Sequence, residues 1–144
     1  MNYKNILTTP LVLGFGMFVF AIPFAYLIKL IDLHVPGLNL ALAGYSAALL
    51  FTHYLYPHRM SARFKIYAML ITVGIAFARV ALVAIANPEA RELLMYVLSN
   101  LTEIKATKMA LLVTLGTSIQ LAIPAIGWYF FISMGNKQAI TYKK

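Results

Sequence analysis

The sequence predicts an all-α membrane protein: an antiparallel bundle of four transmembrane helices with an extra amphipathic extracytoplasmic helix between spans three and four. Hydrophobic residues make up 62% of the chain and charged residues only 11%, far from the balance of an average soluble domain. Apolar runs of near-spanning length also recur four times. A hydrocarbon core of about 30 Å needs about 20 helical residues, and lipid forces such runs to pair their backbone groups internally as helices.

The predicted organisation is a single integral membrane domain, 1-144, with spans at about residues 10-31, 38-56, 65-87 and 108-134. Three of the spans contain a long run without Asp, Glu, Lys or Arg, and the run in the third contains Arg79 alone. Pro23 in span one and Pro124 in span four each remove a helical hydrogen bond, so we expect a kink at both. We expect the first span to be retained, because it is long for a cleaved signal peptide.

The connection between spans three and four is predicted to hold an amphipathic helix at about 88-104. Asn87 supplies an N-cap, Pro88 suits the first helical position, and Glu89 is an acid near the positive helix end. Apolar residues then recur at helical spacing, and polar ones occupy the remaining arc; the apolar set is Leu94, Val97, Leu98, Leu101 and Ile104. We interpret the helix as a cap lying on the membrane surface or over the bundle, with a partner-binding face as the alternative.

Span two is predicted to pack closely against neighbouring helices. Two small-xxx-small pairs, Ala43 with Ala47 and Gly44 with Ala48, permit neighbouring backbones to approach. Aromatic residues follow at the ends of spans two and four, on the same predicted side of the membrane. We interpret them as an interfacial belt, the usual position of Trp and Tyr in membrane proteins; its members are Tyr54, Tyr56, Trp128 and Tyr129.

The formal charge of +8 is interpreted as a topology signal and not as a nucleic-acid surface. Seven Lys/Arg fall on the side of the two tails and the loop between spans two and three: Lys4, Arg59, Arg63, Lys65, Lys137, Lys143 and Lys144. The other side carries four: Lys29, Arg91, Lys105 and Lys108. The positive-inside rule then places both termini in the cytoplasm, and the predicted location is the bacterial inner membrane.

Arg79 is the strongest candidate for a functional residue, because a cation within a span costs roughly 2.5–3.5 kcal/mol on insertion scales. It lies about 4–5 Å outward of the midplane at 1.5 Å per residue, level with Tyr45 and Thr117. Gln120 shares a helix face with Thr117, so these four residues form the predicted ligand-binding focus. No span contains an acid; the guanidinium is therefore expected to meet an anionic ligand, a lipid headgroup reached by snorkelling, or carbonyl acceptors.

No catalytic residues, cofactor or metal are predicted. The chain has no cysteine, which excludes thiolate metal sites and thiol redox chemistry. His53 is the only histidine inside a span, so a second histidine for haem or metal ligation is missing at its depth. Motifs such as HExxH, GxSxG and a Gly-rich phosphate loop are absent from the sequence. An intramembrane enzyme acting on lipid is disfavoured, since acid–base and nucleophile pairs are missing.

An Ala-rich second span ends in a basic hinge, Phe51-Thr52-His53-Tyr54 through Arg63-Phe64-Lys65, and the fourth span exits through Trp128-Tyr129-Phe130-Phe131. In this layout the chain resembles a family of small uncharacterised four-helix bacterial inner-membrane proteins. The resemblance implies a similar layout over most of the chain and no particular activity.

The expected function is non-enzymatic: an accessory, scaffold or immunity-like module that binds a partner within the membrane. The expected partners are membrane lipids and either a membrane protein or a second copy of the chain. The alternative is a small transporter or channel for an anionic solute that uses Arg79, for which the kinked spans and the intramembrane cation are the supporting features.

Overall fold

The computed structural model describes residues 3–100 and 104–142; within these ranges it leaves out the side chains of 3–9, 93–94, 97–98, 100, 104–110, 113–114 and 117–121. Five helices account for most of the described chain: α1 (Tyr3–Leu30), α2 (Leu38–Tyr54), α3 (Ala62–Ala86), α4 (Pro88–Asn100) and α5 (Ile104–Thr141). The described ranges contain no β-strand. The all-α prediction is confirmed.

Helix α5 continues to Thr141, although the sequence placed the end of span four at about residue 134. The extension follows from packing, because Gly135, Asn136 and Ala139 are all buried. The predicted end marked the last residue of the long apolar run, whereas small and hydrogen-bonded residues continue the buried face of the helix beyond it. Helix α1 likewise begins at Tyr3 and runs through both Pro10 and Pro23.

Two of the described helices are long and apolar enough to cross a membrane, Pro10–Leu30 within α1 and Ala62–Ala86, each with a mean hydropathy of 2.3. Only 17% of the tested window is buried in the first and 11% in the second. Their apolar side chains therefore lie mainly on the surface, unlike those of a core helix in a soluble protein. Helix α2 has 17 residues, at the lower limit of the range that spans a bilayer.

The chain divides into two compact units. The first unit comprises Met1–Ile75 and Pro124–Lys144, and so contains α1, α2, the start of α3 and the end of α5. The second unit, Ala76–Ile123, contains the end of α3, α4 and the start of α5. In the second unit, Asn87 Oδ1 accepts the Glu89 backbone N–H at 3.1 Å, so the predicted N-cap of α4 is confirmed. The predicted inward face of that helix, at Leu94, Val97, Leu98 and Leu101, lies outside the described side chains.

The core of the first unit is built on the small residues of α2. Ala43 and Ala48 are buried, and a Cβ added to Gly44 would lie 2.6 Å from Cδ1 of Trp128. The predicted close contact at Gly44 and Ala48 is confirmed. Trp128 is only 3% exposed, so its assignment to an interfacial belt is wrong: the missing side chain of Gly44 leaves room for the indole inside the unit.

Helices α2 and α5 lie in close contact at Gly135. A Cβ at this position would overlap the carbonyl oxygen of Tyr45 and lie 3.2 Å from the backbone nitrogen of Leu49. Both neighbours are backbone atoms of a helix, which cannot rotate away as the end of a flexible side chain can. The spacing of the two helices therefore requires glycine at 135.

Replacing Gly135 by alanine should lower the free energy of unfolding by about 1–3 kcal/mol, since the added methyl forces α2 and α5 apart. Gly127→Ala is the matched control in the same helix: nothing lies within 4 Å of its added Cβ, and alanine is the better helix former by about 0.5–1 kcal/mol. Unfolding followed by circular dichroism in detergent should show opposite signs for the two variants. Equal effects would contradict the close contact.

Candidate functional site

The four residues of the predicted ligand-binding focus are distributed over both units. Tyr45 belongs to the first unit, where its hydroxyl donates to Oε1 of Gln138. Arg79 belongs to the second unit and is exposed. The side chains of Thr117 and Gln120 lie outside those that the structure describes. The grouping of the four therefore stays a prediction, and the partner that the structure shows for Tyr45 is on the C-terminal part of α5.

A different group of polar side chains meets at one end of the first unit. A groove of about 740 Å³ lies between the α2–α3 loop, α3 and the end of α5. We call it the basic groove. Its lining consists of Pro57, His58, Arg59, Lys65, Phe130, Ser133, Met134, Asn136, Lys137, Ile140 and Thr141.

The wall formed by the α2–α3 loop is shaped by local signals in the sequence. Leu55 and Tyr56 both donate their backbone N–H groups to Phe51 O, which closes α2, and Pro57 cannot donate to continue it. Ser61 Oγ then accepts the Phe64 N–H at 3.2 Å, as a hydroxyl does at a helix start. The rings of Tyr56 and Phe64 stack with their centroids 5.5 Å apart, which fixes the loop against both helices.

Asn136 attaches this loop to α5. Its Nδ2 donates to Thr52 Oγ1 at 2.9 Å and to the His58 carbonyl at 3.1 Å, while its Oδ1 accepts the Met60 N–H at 3.0 Å. The side chain is 2% exposed, and both amide hydrogens are used. Asn136 therefore supports the wall of the basic groove and has no donor left for a ligand.

Lys65 is held in a fixed position within the basic groove. Its Nζ donates to Ser133 Oγ at 2.7 Å and lies 4.7 Å from the centroid of the Tyr129 ring. Ser133 can accept this bond because its own hydroxyl donates to the Tyr129 carbonyl at 2.9 Å. An ammonium group has three hydrogens, so two remain available for a ligand.

No carboxylate is among the described residues that line the basic groove. Arg59, Lys65 and Lys137 line it, whereas Asp32 is the only acid in the sequence of the first unit. Asp32 precedes α2 and the groove follows it, so the length of α2 separates them, about 25 Å at 1.5 Å per residue. Asp32 lies instead beside His34, with Oδ1 3.6 Å from His34 Nδ1. The groove is therefore a region of positive potential with hydrogen-bond donors, which suits an anion.

Sequence reasoning used the same cations as topology signals and did not group them. The positions of Arg59 and Lys65 in the sequence indicate a basic loop. Nothing in the sequence indicates that Lys137 lies in the same groove. That meeting requires α5 to continue past residue 134, as the structure shows. Asn136 was missed for the same reason, because the predicted span ended before it.

Replacing Asn136 by alanine should destabilise the first unit by about 2–3 kcal/mol, because the buried Met60 N–H loses its acceptor. Asn39→Ala is the control: this half-buried asparagine has no side-chain hydrogen bond within the described part of the chain, and its loss should cost under about 1 kcal/mol. Thermal unfolding in detergent measures both. Equal destabilisation would show that Asn136 does not hold the loop.

The chain matches no protein-family model, no curated protein and no solved structure. No activity is therefore carried over from a relative. The resemblance in layout to four-helix inner-membrane proteins stays a prediction.

Proposed function

We propose that the chain is a four-span protein of the bacterial inner membrane, with both termini in the cytoplasm, that acts as a non-enzymatic binding module. In this proposal it is an accessory, scaffold or immunity-like protein whose partner is a membrane protein or a second copy of the chain. The observation that carries the proposal is a contrast: large apolar side chains are exposed on the helices, whereas the buried Thr52, Thr72 and Asn136 are hydrogen-bonded within the chain.

The apolar exterior is most pronounced on α1 and α3. On α1, Phe15 and Tyr26 are 55% and 71% exposed, and on α3, Leu70 and Phe77 are 60% and 75% exposed. Large hydrophobic side chains at this exposure, along helices of spanning length, indicate contact with lipid or with another membrane helix.

Three buried polar side chains of the first unit, Thr52, Thr72 and Asn136, bind one another or the backbone. Thr72 Oγ1 lies 2.9 Å from both the Gly14 and the Ala68 carbonyls, which joins α3 to α1. Asn136 and Thr52 bind each other as described above. These groups therefore serve packing, and that use supports a module whose function lies in its surfaces.

The alternative of a transporter or channel for an anionic solute depends on Arg79 and its predicted neighbours. Arg79 is exposed, and Tyr45 already has a hydrogen-bond partner in the first unit. The described residues supply no further observation that favours this alternative, so it stays a prediction.

Reporter fusions test the membrane topology. A reporter that fluoresces only in the cytoplasm should be active when fused after Lys144, because four spans precede this position. It should be inactive when inserted near Ser99, because three spans precede it. Fusions in the α2–α3 loop, near Arg59, should be active and serve as the internal control. Activity near Ser99 together with loss at Lys144 would overturn the orientation.

Photo-crosslinking in intact membranes tests the binding module. A photoreactive residue at Phe15, which is 55% exposed, should give a discrete protein adduct, whereas one at Met17, which is 0% exposed, should react only within the chain. Mass spectrometry of the adduct distinguishes a second copy from another membrane protein. Adducts with lipid alone, at Phe15 and at the exposed positions Leu70 and Phe77, would contradict the proposal.

A further inference from the structure

We infer that the basic groove binds a phosphate-bearing anion, supplied either by an acidic phospholipid headgroup or by free phosphate. This inference adds a ligand class to the proposed function. The lipid as a source of the phosphate rests on the proposed function, because it requires the proposed membrane placement. Binding of the anion itself does not, because all residues that line the groove belong to the first unit.

The first argument is that the cations are not neutralised inside the protein. Carboxylates compete with phosphate for Lys and Arg, and none lies in the sequence segments that line the groove, 57–65 and 130–141. Arg59 and Lys137 are exposed and make no side-chain hydrogen bond or ion pair to any described residue. Three cationic side chains with unused N–H donors therefore line the same groove.

The second argument is preorganisation. Lys65 is half-buried and held between Ser133 Oγ and the Tyr129 ring, with two hydrogens unused. A donor that is already fixed loses less conformational entropy when a ligand binds. Arg59 adds a planar guanidinium, whose paired N–H groups match two phosphate oxygens.

The third argument is the composition of the lining. Beside the cations, α5 contributes three apolar side chains to the groove, Phe130, Met134 and Ile140. The volume of about 740 Å³ is that of a small-molecule site, larger than a single inorganic anion requires. A charged head with an apolar body fits both parts of the lining, which favours the lipid as the source of the phosphate.

The location agrees with this chemistry. In the proposed topology the α2–α3 loop and the end of α5 lie on the cytoplasmic side. Anionic lipids are attracted to basic residues there, and basic pockets between helices on that side bind phosphate-containing headgroups. The groove would then hold a lipid in a fixed position instead of attracting a diffuse layer.

The inference is tested with the full chain purified in a neutral detergent. Native mass spectrometry measures retention of phosphatidylglycerol against phosphatidylcholine over a series of lipid concentrations. Arg59→Gln, Lys65→Gln and Lys137→Gln should each weaken phosphatidylglycerol binding about fivefold, from the energy of one cation near an anionic headgroup. The triple variant should lose about a hundredfold.

Arg63→Gln is the matched control, because Arg63 lies two residues before Lys65, is exposed, and does not line the groove. It removes the same charge from the same segment and should change the affinity by less than twofold. Melting temperatures show whether each variant still folds. The side chains of Arg59 and Lys137 make no hydrogen bond or ion pair to a described residue, so their variants should fold. They therefore test the inference even if Lys65→Gln unfolds.

A second titration uses inorganic phosphate alone and in competition with the lipid. Binding of phosphate that the groove variants weaken identifies a soluble source, and lipid binding that phosphate does not displace identifies the headgroup. Either result supports the inference. Binding of neither probe, or equal losses in Arg63→Gln and in the groove variants, overturns it. The topology fusions are independent of these results, so failure here leaves the proposed membrane placement standing.

Discussion

The close approach of α2 and α5 determines the arrangement of the first unit. It depends on glycine in both helices: Gly44 makes room for the Trp128 ring, and Gly135 lies against the backbone of Tyr45. With the two helices at this distance, Asn136 reaches Thr52 and the loop beyond α2. The loop is then fixed, and with it the positions of Arg59 and Lys65 beside Lys137. A contact between two helix backbones thus determines where a charged surface forms.

The polar groups of the unit divide into two classes by their hydrogen bonds. Thr72, Thr52 and Asn136 are buried and bonded to other elements, which ties α1 to α3 and the loop to α5. Lys65 is half-buried and only partly bonded, and Arg59 and Lys137 are exposed. In a bundle with small-residue contacts, interhelical hydrogen bonds of the first class each add around 1 kcal/mol or less. The second class adds little to stability, and its three members all line the basic groove.

Much of the fold could be predicted from local patterns, because each depends on a few neighbouring residues. The small-residue face of α2 and the Asn87 cap of α4 are examples, and both are found. Trp128 was misplaced because an aromatic near a predicted helix end suits both an interface and a core, and only the cavity opposite, at Gly44, decides between them. The basic groove could not be predicted, since Lys137 and Arg59 are far apart in sequence and meet through tertiary packing alone. The grouping of Arg79 with Thr117 and Gln120 depends on depth in the membrane and on a shared face of span four. The last two side chains lie outside the described part of the chain.

The burial of Trp128 gives the protein an intrinsic fluorescent probe. It is the only tryptophan in the chain, and its ring packs from α5 against Gly44 of α2. Its Nε1 has no hydrogen-bond partner among the described residues. An indole in such surroundings emits at short wavelength, and its emission moves to longer wavelength when water reaches the ring. Any event that separates α2 from α5, whether caused by a ligand, a partner or a change of lipid, can therefore be followed in the unmodified chain by fluorescence, with no label and no substitution.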